Sequence, residues 1–148
     1  GAPFIEEIAD DLAVGYTTRD IDGNETGVLA PNTALMPGRG FAAGGTYSTA
    51  GDLHRFAAAL LGGRLVSLDS VGLLITGRVR LNDRASYGLG FFDRLLAGER
   101  VVGHSGGAPG GCVSLSIYPD TGYVAVVLSN SDSDCLAVLD YLAANPPR

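Results

Sequence analysis

The chain has 148 residues, is 46% hydrophobic and 18% charged, and sets sixteen acidic against ten basic side chains for a formal net charge of −6. A chain of this size buries roughly 70% of its unfolded surface in one domain, and its acidic balance excludes a nucleic-acid partner held by net charge. No apolar run approaches the ~20 residues that span a bilayer, and no basic segment with an apolar core opens the sequence, so no membrane partner is expected.

All ten basic residues are arginine. Without lysine this chain holds no Schiff base, no phosphate-loop lysine and no Ser-x-x-Lys pair. Glycine stands at twenty-two positions, where average usage gives roughly ten. The glycines cluster at 38–45, 62–63, 88–90 and 103–111, which marks turns and close backbone approaches.

Taken in chain order, residues 1–47 read as irregular. An acidic stretch at 6–11 precedes a short apolar piece from Leu12 to Tyr16, a polar turn at Asp20–Gly23–Asn24, and a long loop holding Pro31, Pro37 and the glycines that follow. Within it, Gly38-x-Gly40-x-x-Ala43 has no strand before it and no helix after it, so it reads as a loop and not as a dinucleotide site. So long an aperiodic segment in a small domain is expected to drape over something else.

Residues 49–61 form the clearest helix. Thr49 caps it, Gly62–Gly63 end it, and Leu53, Phe56, Ala57, Leu60 and Leu61 make its apolar stripe. A second helix is expected from Leu68 to Ile75, capped by Ser67. The period then changes to two. Tyr87–Leu89–Phe91 and Val101–Val102 flank a turn near Gly98–Glu99; Val113, Leu115 and Ile117 alternate with Ser114, Ser116 and Tyr118; residues 119–122 turn; and 123–128 is a nearly continuous apolar strand. A last helix runs from Asp134 to Ala144. The fold class is α+β, an antiparallel sheet with flanking helices and a long irregular N-terminal segment, in a single unit spanning 1–148.

Cys112 and Cys135 are too few for a disulfide scaffold, and either two buried thiols or one disulfide fits them. His54 and His104 lack neighbours at metal-ligand spacing, so no metal and no cofactor is expected. His54 reads as solvated, Tyr87 and Phe91 as sheet core.

The sharpest string is Gly103-His104-Ser105-Gly106-Gly107. As a G-x-S-x-G nucleophile elbow it needs a helix after Ser105 and a later histidine, and the sequence offers neither. The other reading is a strand end that turns, through Ala108-Pro109-Gly110-Gly111, into the next antiparallel strand.

With that reading, four strings fall in order: Ala43-Gly-Gly-Thr-Tyr-Ser-Thr-Ala-Gly-Asp-Leu53, Tyr87-Gly-Leu-Gly-Phe91, Gly103-His-Ser-Gly-Gly-Ala-Pro-Gly-Gly111 and Leu128-Ser-Asn130. Together they resemble the C-terminal part of the serine β-lactamase-like hydrolases, which include class C β-lactamases, esterases and D-amino-acid peptidases. The resemblance covers residues 12–144. It implies that His104, Ser105 and Gly106 stand at the family's third motif, with His104 beside the nucleophile's proton network and Ser105 bonding the substrate. It places the Gly107 N–H as an oxyanion donor and Asn130 where it can face a substrate. The plainer alternatives are a glycine-rich hairpin with a solvated histidine, and an asparagine that ends its strand.

The chain departs from the family at two motifs. Ser-x-x-Lys cannot exist in it, and none of its six tyrosines has Asn two residues later. The expectation is therefore a C-terminal portion carrying half an active site for acyl-serine hydrolysis of a small amide, lactam or ester, inactive alone. The alternative is a non-catalytic binding or assembly module on the same fold. The partner implied is the missing N-terminal half, or a second copy paired through strand 123–128. That strand is apolar on both faces, and the C-terminal helix can cover only one.

Overall fold

A computed structural model describes residues 12–36, 42, 44–132 and 134–145. The acidic stretch 6–11 and the Gly38–Ala43 string lie outside, or almost wholly outside, the described residues. Six strands form one antiparallel sheet in sequence order: β3 (Val79–Asn82), β4 (Ala85–Tyr87), β5 (Phe92–Leu96), β6 (Glu99–Ala108), β7 (Gly111–Ile117) and β8 (Val124–Ser129). A separate hairpin, β1 (Tyr16–Arg19) with β2 (Glu25–Pro31), precedes them.

The hairpin corrects the irregular reading of the N-terminal segment. Its turn falls at residues 20–24, where Asp20 accepts the backbone N–H groups of Asp22 and Asn24. Every residue of β2 is exposed, so no apolar alternation betrays the strand. Strand β3 was also unforeseen, for the same reason: all four of its residues are exposed. The expected strand through Tyr87–Phe91 breaks after Tyr87, and β5 begins at Phe92.

Helix α1 (Ala50–Leu61) starts where Thr49 Oγ1 accepts the Asp52 N–H at 3.0 Å. Helix α2 (Leu68–Ile75) starts on the matching Ser67 cap. Ala57 and Leu60 of α1 meet Val71 and Ile75 of α2, Val102 of β6 and Ile117 of β7 in the main core. Burying an aliphatic side chain of this size stabilises the fold by about 1.5–3 kcal/mol. Phe56, expected in the stripe, is 41% exposed instead.

Helix α3 (Asp134–Ala144) covers the other face of β7 and β8, and Cys112 is disulfide-bonded to Cys135. Alternation puts Ser114 and Ser116 on the Cys112 face. Both serines are buried, with their hydroxyls 3.5 Å apart. The Ser/aliphatic alternation of β7 thus separates two covered faces, not an inside from an outside. Strand β8 has α1 against one face and α3 against the other, so both its faces are covered. It remains the terminal strand of the sheet. Beyond it lies only an isolated bridge from Tyr16 to Ser131 among the described residues.

Candidate functional site

Residues 103–107 lie inside β6, with no helix after Ser105. Two tight hairpins fix how this strand spends its hydrogen bonds. At one end Leu96 pairs with Glu99 across Ala97–Gly98, both at positive φ as a type I′ turn requires. At the other, Ala108 pairs with Gly111 across Pro109–Gly110.

In an antiparallel ladder, successive residues point their N–H and C=O to opposite neighbours. Counting from the first turn, Glu99, Val101 and Gly103 bond toward β5. Counting back from the second, Ala108, Gly106, His104 and Val102 bond toward β7. The two counts agree. Strand β5 stops at the Phe92–Gly103 pair. Ser105 and Gly107 therefore direct their N–H and C=O groups at an edge that no strand covers among the described residues.

Just before that edge, Gly103 is a glycine because β7 leaves no room for a side chain. Its φ is 156°, and a Cβ there would stand 1.9 Å from the Leu115 carbonyl oxygen. The next residue, His104, lays its ring against Phe92 at 5.0 Å between centroids and against Tyr87 at 5.8 Å. Its Nδ1 lies 2.8 Å from the Ser105 carbonyl oxygen, and its Nε2 lies 3.0 Å from the Tyr87 hydroxyl. A carbonyl oxygen only accepts, so Nδ1 carries the hydrogen. In the neutral ring Nε2 is then the acceptor, and the Tyr87 O–H donates to it. Tyr87, read from sequence as core, is half-buried and belongs to this cluster.

The hairpin tip beyond Gly107 is braced from behind. Asp132 accepts the Gly110 N–H at 2.7 Å, and Asn32 donates to the Pro109 carbonyl at 2.8 Å. The Gly110 N–H, then the Thr17 hydroxyl, hold the Asp132 carboxyl below the usual carboxylate range. A Cβ at Gly15 would stand 2.2 Å from the Gly110 carbonyl oxygen, so the N-terminal segment presses directly on the tip.

Asn130 follows β8, at the same end of the sheet: Cys112 pairs with both Gly107 and Ser129. Its side-chain amide donates to the Val14 carbonyl at 3.0 Å, and its backbone carbonyl accepts the Tyr16 N–H. The structure thus gathers His104, Ser105, Gly106 and Gly107 on one strand with Tyr87, while Asn130 ties the sheet to the N-terminal hairpin. His54 is exposed on α1, as expected. Sequence reading missed Tyr87, Asn32 and Asp132, whose roles appear only once strand register and the hairpin β1–β2 are known.

An antiparallel meander between helices, whose fourth strand, β6, carries a His-Ser-Gly-Gly edge, has the architecture of the serine β-lactamase-like hydrolases. The chain belongs to the beta-lactamase family, whose model matches residues 6–145. Among solved structures it is similar to a penicillin binding protein from Bacillus halodurans, with TM-score 0.83 and 26% identity over 97% of this chain and 43% of that one. It is also similar to a D-stereospecific amidohydrolase from Streptomyces sp. (TM-score 0.68, 25% identity, 95% and 42% coverage). A D-amino acid amidase from Ochrobactrum anthropi shares the fold, with TM-score 0.59 and 20% identity over 89% of this chain and 42% of that one. The chain spans less than half the length of each of these structures. No curated protein matches it.

Proposed function

We propose that the chain supplies the C-terminal share of a serine hydrolase domain, forming half of an acyl-transfer site that acts on a small amide, lactam or ester. The open β6 edge carries this reading: Gly107 offers an outward N–H to a developing oxyanion, and a glycine lets a reacting carbonyl approach closely. Ser105 bonds the substrate through its side chain and its outward backbone groups. His104 holds a proton at Nδ1 and accepts a hydrogen bond from the Tyr87 hydroxyl at Nε2, ready to join the proton network of a nucleophile brought from outside this chain. Asn130 borders the same end of the sheet and faces substrate in this reading.

The nucleophile is not among these residues. The chain has no lysine to build Ser-x-x-Lys and no Tyr-x-Asn, and it spans 42–43% of the two matched structures named first. The isolated chain is therefore expected neither to hydrolyse nitrocefin nor to form a stable acyl adduct with it. A D-amino-acid amide should shift the Ser105 and Gly107 amide resonances without being consumed. Stoichiometric labelling of Ser105 by a fluorophosphonate would falsify the half-site reading and make Ser105 an independent nucleophile.

A further inference from the structure

Among the described residues, no carboxylate pairs with Arg94 of β5, a half-buried cation. Its Nε is buried and makes no hydrogen bond among the described residues, and its central carbon lies 5.0 Å from the centroid of the Phe92 ring. A ring face stabilises a cation by about 0.5–2 kcal/mol. The residue is half-buried, and leaving its one buried donor, Nε, without a hydrogen bond costs about 1–3 kcal/mol. The other arginines nearby are engaged: Arg80 with Asp83, and Arg100 with Asp93. Those two carboxylates are thereby taken.

Arg94 lines a groove of about 450 Å³ beside the end of α3, together with Arg84, Asn82 and an apolar wall that includes Leu96, Ala97 and Ala143. No acidic side chain lines it among the described residues. Two arginines and one asparagine share its lining with aliphatic residues. The adjoining groove, which shares Arg84 and Arg94, is lined by Asp83 and Asp93 as well, each already paired with another arginine.

We infer that the groove beside α3 binds a small anion with an apolar body, a carboxylate held by Arg94 and Arg84 with its hydrocarbon against Leu96 and Ala143. A planar guanidinium fork accepts a carboxylate with two parallel hydrogen bonds, and the bound anion supplies the partner that Arg94 lacks. Burial lowers the Arg94 pKa, as an uncompensated charge requires. The site is separate from the β6 edge and needs no nucleophile.

The chain itself is titrated with hexanoate, with inorganic phosphate and with hexanol, following backbone amide resonances. Hexanoate should shift Ala85, Leu95 and Ala97 saturably and more tightly than phosphate, and hexanol should not saturate. Arg94→Gln should weaken hexanoate by about tenfold or more, the worth of one charge-assisted bond. Arg80→Gln should leave binding unchanged. Hexanoate should also raise the melting temperature of the wild type and not of Arg94→Gln, a comparison that stands even if the variant is less stable. Shifts that never saturate, equal binding by Arg94→Gln, or hexanol binding as tightly as hexanoate would each overturn the site. Phosphate binding more tightly than hexanoate would overturn the apolar body. None of these outcomes depends on the fate of the half-site reading, which fluorophosphonate labelling decides.

Discussion

At Gly103 the strand leaves the geometry open to other residues: an added methyl group would enter the Leu115 carbonyl, 1.9 Å away. The clash is with backbone on a central strand pair, so no side chain can swing aside. Gly103→Ala should cost about 3 kcal/mol or more, read as a fall in the urea midpoint with little change in slope. One residue on, the His104 ring is expected to rest as the Nδ1–H tautomer, because Ser105 O takes that hydrogen and the Tyr87 hydroxyl caps Nε2. Long-range ¹H–¹⁵N correlations on the neutral ring should show this tautomer in the wild type and a smaller fraction of it in Tyr87→Phe. A wild-type ring protonated at Nε2 would sink the assignment. His104, Ser105 and Gly107 were legible because they are contiguous in one string. Tyr87 was not, because only the pairing of β4 with β5 and of β5 with β6 carries it to the histidine.

Two ties between elements hold the site's scaffold. Arg100 of β6 bonds Asp93 of β5 through both Nε and Nη2 and reaches the Ile75 carbonyl at the end of α2, while Asp93 also accepts the Gly77 N–H. The Arg100 hydrogen bonds, more than any other influence, hold the Asp93 carboxyl below its usual range. A carboxylate with a depressed folded pKa stabilises the fold above its unfolded pKa of about 3.9, and that stability is lost as the pH falls through the folded value. Asp93→Asn should therefore lower stability at neutral pH by about 2 kcal/mol and flatten the acid limb of the stability profile. Equal acid limbs in variant and wild type would remove Asp93 from that role. The second tie is the Cys112–Cys135 disulfide, which closes a loop with a sequence separation of 23. Replacing both cysteines with serine should cost about 3 kcal/mol, or a melting temperature lower by roughly 6–12 °C at this chain length. The three helices were legible because their caps and stripes are written locally. Strands β2 and β3 were not, because a strand with every residue exposed has no apolar period to read.

At the scale of the molecule, β8 is the place where the sheet stops. Helices cover both its faces, yet its outer edge has no strand among the described residues beyond the Tyr16–Ser131 bridge. An edge of this kind, with a buried strand's composition and free backbone groups, is a template for pairing. Val113 and Leu128, paired across β7 and β8, add apolar surface nearby, each 40% exposed. If the chain is one share of a larger domain, a further strand should add here, from the rest of that domain or from a second copy in antiparallel two-fold pairing. Light scattering at tens of micromolar should then report a dimer, with the β8 amides slow to exchange. A strictly monomeric chain whose β8 amides exchange freely would count against it.

The order of the sheet has a kinetic consequence. Each of the six strands pairs only with its immediate predecessor and successor in the chain, so every ladder closes over a short loop and none waits for a distant segment. Local wiring of this kind speeds folding. The slow events fall elsewhere: α1 must come down on β8, and the β1–β2 hairpin must reach Asp132 and the Pro109–Gly110 tip across most of the sequence. The β6 edge can thus take shape early, and the brace that steadies its tip arrives last.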